Sequence, residues 1–306
     1  MIEIAIMIEG QDGLTWRRWK RLARTVEELG FSGLFRSDHY TNANPPNKDS
    51  LELWISLAWL AGNSTAPVFG PLVTPFSFRE PTMTARMAAA VDDLSGGRLI
   101  LGLGAGWQGR EHQMFGHDLL GVTERMDRME EGLQVVSALL HSDEPVSFGG
   151  DYYELNDAIL LPRPQRPGGP PILVGGNGRQ RTLPLAAQYA DEWNGVFIAP
   201  QEYADLNSQL DELLVAKGRA PEDVRRSVMA GTVFGRTEEE ASAKIAQHGG
   251  DAQKMREQGY VVGSGVQFVQ QIRAYEEAGA TRIMLQWLAL DDMEGLAAMA
   301  ELVLSN

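Results

Sequence analysis

Short apolar runs recur along this chain, each followed by a longer stretch whose apolar residues step by threes and fours. Ile2 to Ile8 reads as a strand. Thr15 then caps a helix that ends at Gly30, with Leu22, Val26 and Leu29 as its apolar stripe. Phe31 to Arg36 predicts a second strand, ending in Ser37-Asp38-His39-Tyr40. A polar loop with Pro45-Pro46 and an apolar helix, Leu51 to Ala61, follow it. Val68 to Val73 predicts a third strand, ending at Thr74-Pro75. Pro81 suits the first turn of the next helix, which Ser95-Gly96-Gly97 ends. Leu99 to Leu103 is the fourth strand.

The second half repeats the alternation. Leu119 to His141 contains a long helix whose stripe, Met126, Met129, Leu133, Val136 and Leu140, is core. Val146 to Leu155 reads as a hairpin around Gly149-Gly150-Asp151, and the proline-rich segment Leu161 to Pro171 as an ordered excursion. Strands follow at Ile172 to Val174, Glu192 to Val196, Ser227 to Phe234 and Arg282 to Trp287. Helices follow at Thr182 to Tyr189, Gln201 to Lys217, Thr237 to Gln247 and Val266 to Ala278, with a closing helix to Leu304. Eight strands, each followed by helix, predict an α/β fold of the (β/α)8 TIM barrel type. A hairpin and loop excursion is inserted between the fourth and fifth strands, and one domain takes residues 1–306. In such a barrel the strand ends carry the site, which directs attention to Asp38, His39, Thr74, Gly104 to Trp107, Gly175 to Arg179, Asn194, Gly231 and Gln286.

Composition narrows the function. A net charge of −14 over 306 residues argues against nucleic acid as a partner. With no cysteine there is no disulfide, thiolate nucleophile or thiolate metal site. The start lacks the basic residues of a signal peptide, and the longest apolar run is too short to span a bilayer, so a cytoplasmic protein is the expectation.

The fourth strand runs into Gly102, Gly104 and Gly106. Glycines at alternate positions strip side chains from one edge of the strand end, so that a flat ring could lie there beside Trp107. Gly104, Gly106 and Gly109 also satisfy the dinucleotide fingerprint. That fingerprint should open the first strand-helix unit of an open sheet, and here several units precede it. Gly175, Gly176 and Gly178 between a strand and a helix leave backbone N–H groups unshielded. Arg179 and Arg181 add positive charge, a combination that binds phosphate. The alternative is a plain helix entry capped by Asn177. His39 at a strand end can exchange a proton at a reacting centre, and Asp38 either orients it or serves structure. His112 and His117 are five apart, which is not the spacing of a helical zinc pair, and no metal site is expected.

Ser37-Asp38-His39, Gly96 to Leu99 running into Gly104-Ala105-Gly106-Trp107, Pro170 to Gly176, and Ala190 to Asn194 resemble the luciferase-like monooxygenase superfamily, from Ile2 to about Trp287. The resemblance implies a barrel that binds FMN or the deazaflavin F420 at the strand ends and acts on a small molecule by hydride or oxygen chemistry. It implies His39 as the active-site histidine. It implies coenzyme binding by Asp38, Leu72, Val73 and Thr74, with Thr74 against the ring and a non-prolyl cis peptide near Leu72-Val73. Gly104, Ala105, Gly106 and Trp107 would form the wall beside the ring, and Gly175, Gly176, Asn177, Gly178 and Arg179 the phosphate loop. Some F420 enzymes of the superfamily carry an acid where this chain has Trp107. Relatives are commonly homodimers. Three functions follow: an F420-dependent oxidoreductase with His39 as acid or base, which is the expectation; an FMN-dependent monooxygenase; and a flavin-binding barrel without chemistry. The basic helix face from Arg17 to Arg24 is a solvated surface or a seat for the polyglutamate tail of F420.

Overall fold

The computed structural model describes residues 2–305. The strands are β1 (Glu3–Ile8), β2 (Gly33–Arg36), β3 (Val68–Pro71), β4 (Thr74–Pro75), β5 (Leu101–Gly104), β6 (Val146–Gly149), β7 (Glu154–Ala158), β8 (Ile172–Gly175), β9 (Glu192–Val196), β10 (Arg225–Phe234), β11 (Tyr260–Gly263) and β12 (Arg282–Gln286). The strand order is β3-β2-β1-β12-β10-β9-β8-β5-β4, with β11 beside β10. Thr74 and Pro75 pair with Leu103 and Gly104, and Phe69 bridges Leu99, so β3 and β4 are two segments of one position beside β5. The ring therefore closes into the expected parallel barrel. It has no reversal of strand order at β5, which removes the dinucleotide-fold reading of Gly104, Gly106 and Gly109.

Local chemistry explains the alternation. The Thr15 hydroxyl accepts the Arg18 N–H ahead of the helix Trp16–Leu29, and Gly30 closes that helix at φ 82°. Leu22 and Val26 are fully buried beneath it, as is Trp19, which the expected stripe left out. Burying side chains of this size stabilises the fold by roughly 1.5–3 kcal/mol each. Glu80 caps the helix Pro81–Ser95 through the N–H groups of Thr82 and Met83, with proline in the first turn. The hairpin β6–β7 forms where expected, and the Glu131 carboxylate accepts the N–H groups of Asp151 and Tyr152 in its turn.

Alternate strand residues fill the barrel. Ala5, Met7, Phe35, Leu72, Ile100, Leu173, Met229 and Met284 make the interior plug. Below it, buried Arg282 donates to Glu192 at 2.7 Å and to Glu3 at 2.8 Å, closing the amino end of the barrel with paired charge. The open end is the carboxyl end.

Four elements among the described residues were not expected. They are a short helix, Gly109–Phe115, a 3-10 turn, Pro221–Asp223, a helix Ala252–Glu257, and β11. Strand β11 has four residues and, among the described residues, pairs only with the upper half of β10, where Val233, Val262 and Met255 form a small core of their own. Among the described residues no helix is long and apolar enough to cross a membrane.

Candidate active site

A cavity of about 460 Å³ opens at the carboxyl ends of the strands. Met7 and Glu9 enter it from the end of β1, His39 from the loop after β2, and Leu72, Val73 and Pro75 from the break between β3 and β4. Gly106 and Trp107 follow β5, Gly175 and Gly176 end β8, and Val196, Phe197 and Met229 complete the wall. Apolar walls with few convergent polar groups are the usual make-up of a small-molecule site. The Leu72–Val73 peptide is cis.

His39 is the imidazole in that wall. Its Nδ1 lies 2.8 Å from Oε1 of Glu111, a side chain only 1% exposed. The other carboxylate oxygen of Glu111 accepts the Tyr40 N–H at 2.8 Å. The Gln108 amide nitrogen lies 3.2 Å from His39 Nδ1 and donates to the Thr41 carbonyl at 2.9 Å. Burial works against the imidazolium, but the hydrogen bond and charge of Glu111 outweigh it, with smaller help from Glu9 and Asp38. The His39 pKa is therefore raised above the ordinary 6.5. With Nδ1 engaged, Nε2 is the nitrogen left for a reacting group, and the ring centroid lies 5.7 Å from that of Trp107 in a T-shaped contact.

Glu111 is the functional candidate that sequence reasoning missed. The metal-spacing argument in this stretch concerned His112 and His117 alone. Gln108, Glu111 and His112 fall at i, i+3 and i+4 on one face of the short helix and are all buried, which is the signal that could have revealed them.

The other anticipated residues divide. Asp38 turns away from His39 to accept Arg79 through both oxygens, at 3.0 and 2.8 Å, and the Thr74 hydroxyl donates to it at 3.0 Å. Both Asp38 and Thr74 are buried in that cluster and do not line the cavity. The glycines of β5 serve a purpose other than clearing space for a ring. A Cβ on Gly102 would stand 2.1 Å from the Pro71 carbonyl oxygen, and one on Gly104 2.5 Å from a Val73 methyl. That space belongs to the β3–β4 break, whose Val73 then faces the cavity. Gly106, at φ 82°, does line it, while Gly104 and Ala105 stand behind.

In the Gly175 to Arg179 loop, Gly175 and Gly176 line the cavity. Asn177 is not a helix cap. Its amide donates to the Val196 carbonyl at 2.7 Å and accepts the Val196 N–H at 2.9 Å, clasping the loop to β9. The helix begins only at Thr182, and a Cβ on Gly178 would stand 2.7 Å from the Thr182 hydroxyl. Arg179 is exposed and donates to Gln209, whereas Arg181 is paired with Asp127 and Glu130. Strand β8 lies four positions from β1 around the ring in either direction. The basic helix that follows β1 is thus diametrically opposite this loop, with Arg18 and Arg21 on Asp291.

The family model described as luciferase-like monooxygenase matches residues 3–250. The chain belongs to the luciferase-like monooxygenase family. It is similar to the FMNH(2)-dependent dimethylsulfone monooxygenase of Pseudomonas putida, 27% identical over 74% of this chain and 61% of that protein. It is also similar to the F420-dependent glucose-6-phosphate dehydrogenase of Amycolatopsis mediterranei, 30% identical over 71% of this chain and 65% of that one. The chain thus spans less than two thirds of the length of these relatives. A solved F420-dependent secondary alcohol dehydrogenase holding an F420-acetone adduct superimposes with a TM-score of 0.85 over 99% of this chain and 98% of its own. At 20% identity it speaks for the fold alone. The family thus includes proteins named for either coenzyme.

In this luciferase-like chain, Leu72 and Val73 line the cavity with apolar side chains, and Gly175 and Gly176 line it where β8 leads to the Gly178 turn, the Gly176 N–H donating to the Asn194 carbonyl at 3.0 Å.

Proposed function

We propose that this chain is a deazaflavin-dependent oxidoreductase, using F420 for hydride exchange with a small organic substrate, with His39 as acid and base. The observation that carries the reading is the His39–Glu111 pair: a histidine in an apolar cavity wall, its Nδ1 held by a buried carboxylate. When bound, the coenzyme would supply a hydride donor or acceptor that reacts poorly with oxygen. The protein's part is then proton handling and positioning. Leu72 and Val73 would support the ring, and the backbone from Gly175 to Gly178 with Arg179 would take the phosphate. His39 Nε2 removes the hydroxyl proton of an alcohol in one direction and returns it to the carbonyl oxygen in the other. Glu111 steadies the imidazolium formed in between. The Gly175 to Gly178 loop and the Arg17 to Arg24 face lie on opposite sides of the barrel, which favours reading that face as solvated surface over a seat for an acidic tail.

Equilibrium titration of the purified protein with F420 and with FMN tests the proposal. F420 binding at micromolar Kd or tighter is expected. Comparable affinity for FMN with none detectable for F420 would reverse the assignment in favour of the monooxygenase reading.

A further inference from the structure

One charged group in the cavity wall has no part in the proton handling described above. Along β1, Ala5 and Met7 point into the barrel and belong to the interior plug. Side chains on a strand alternate, so Glu9, two residues further on, also points inward, and it stands above that plug in the wall of the cavity. The strands that flank β1 follow the same rule. Met284 of β12 is in the plug and Gln286 lies above it. Phe35 of β2 is in the plug, and Ser37 and then His39 lie above it. The sector β12–β1–β2 thus carries polar side chains over an apolar plug. Leu72, Val73, Val196, Phe197 and Met229 make other parts of the wall apolar.

Hydrogen bonds fix Glu9 in that sector. Its two carboxylate oxygens accept the side-chain amides of Gln11 and Gln286, each at 2.7 Å. The side-chain carbonyl of Gln11 in turn accepts the Ser37 hydroxyl, and Ser37 Oγ accepts the Gly10 N–H at 2.9 Å. Gln11, Ser37 and Gln286 are buried. Both amides are neutral, so they orient the carboxylate without cancelling its charge. Neither lysine nor arginine lines the cavity among the described residues. Each carboxylate oxygen has a second lone-pair direction, so one amide apiece does not exhaust it. Covering such an acceptor with an apolar molecule strips it of water for no return, whereas a molecule that brings a donor to it replaces the water.

The placement of the coenzyme leaves this sector free. Its phosphate is assigned to the loop after β8, diametrically opposite β1, and the support of its ring to Leu72 and Val73 on β3–β4. Resting on that placement, for F420 and FMN alike, we propose that Glu9 is a substrate-binding residue: it accepts a hydrogen bond from an O–H or N–H of the molecule that shares the cavity with the coenzyme. It thereby selects ligands that carry such a donor, an ammonium above a hydroxyl, over isosteres that carry none. Glu9 anchors the molecule beside His39, and no bond is made or broken at its carboxylate.

Three probes of one shape test this by calorimetry or saturation-transfer NMR, on protein saturated with whichever coenzyme it takes. They are benzylamine, protonated at neutral pH, benzyl alcohol and ethylbenzene. Glu9→Gln keeps the shape of the side chain, and a flanking amide can turn over to meet it. The variant should bind benzylamine at least about tenfold more weakly than wild type, benzyl alcohol about threefold more weakly, and ethylbenzene within about twofold of wild type. Glu9→Asp, which keeps the charge, should retain more of the benzylamine affinity than Glu9→Gln. The Kd of the coenzyme should change by less than about twofold in both variants. An equal loss for all three probes, or no loss for benzylamine, overturns the proposal. So does a coenzyme Kd about tenfold weaker in Glu9→Gln with the probe affinities unchanged, which would put Glu9 against the coenzyme. A protein that takes FMN and not F420 overturns the coenzyme reading alone, because the probes are compared on either loaded form.

Discussion

His39 Nδ1 lies 2.8 Å from Glu111 Oε1, joining a loop after the second strand to a helix 72 residues further on. The pair fixes which imidazole nitrogen is free and raises the His39 pKa against the opposing effect of burial. Glu111→Gln keeps a side chain of the same shape but removes the charge. Its His39 should titrate lower, so the acid limb of a kcat/KM profile in the alcohol-oxidising direction moves to lower pH. Turnover should fall by about 10–100-fold. An acid limb that stays where the wild type has it would separate Glu111 from the histidine.

His39→Ala should fold, bind coenzyme and lose about 10²–10⁴ in turnover. If the two residues act as one unit, the double variant with Glu111→Gln is little worse than His39→Ala alone. Steady-state kinetics on the four proteins measures the coupling. Multiplicative losses would mean independent roles.

The same pair makes stability depend on pH. A histidine whose folded pKa is raised adds stability that is fully present below its unfolded pKa and is lost as pH rises through the folded value. His39→Gln should therefore lose more unfolding free energy relative to wild type at about pH 5.5 than at about pH 9, measured by urea titration. A larger deficit at the alkaline end would contradict the raised pKa.

Much of this barrel can be read from the chain because its elements carry local signals. Thr15 and Gly30 bracket one helix, Pro81 and Gly96 another, and each does so by satisfying or terminating backbone hydrogen bonds near itself in sequence. The site is less legible because its contacts are not local. Nothing near Asp38 announces Arg79, and nothing near His39 announces Glu111. Asp38 and His39, being neighbours on an extended segment, do point to different sides. The glycines of the fourth strand are plain in sequence, but their reason lies in Pro71 and Val73 on the strand beside them.

That reason has a measurable consequence. Gly102→Ala sets a methyl 2.1 Å from a main-chain oxygen, which can move only with its strand, whereas Gly104→Ala meets the end of the Val73 side chain at 2.5 Å. Overpacking of a filled interior costs about 1–3 kcal/mol, and Gly102→Ala should lie at or above the top of that range. Gly104→Ala should cost less, and Val73→Ala should recover part of the loss. Urea unfolding of the single and double variants decides the matter. An unrelieved Gly104→Ala would show that Val73 is not what its methyl meets.

Two arginines in the loop ahead of one helix should differ in what they do for the coenzyme. Arg181 is paired with Asp127 at 2.6 Å and also reaches Glu130, so its charge is already matched by two acids. Arg179 is exposed and bonded only to the neutral Gln209 among the partners described, leaving its charge available to a phosphate on the Gly175 to Gly178 backbone. Releasing Arg181 would require breaking an ion pair, while Arg179 exchanges one hydrogen bond for a stronger, charge-assisted one. Arg179→Ala should weaken coenzyme binding by about 1–3 kcal/mol, and Arg181→Ala by less than about 0.5 kcal/mol. On the opposite side of the barrel, Arg17→Glu and Arg24→Glu should leave the affinity within about twofold, their distance exceeding the range over which salt leaves a surface charge effective. Fluorescence titration of the coenzyme against the four variants separates these cases. A loss confined to Arg17→Glu and Arg24→Glu would move the anionic part of the coenzyme to the far side of the barrel, away from the glycine loop.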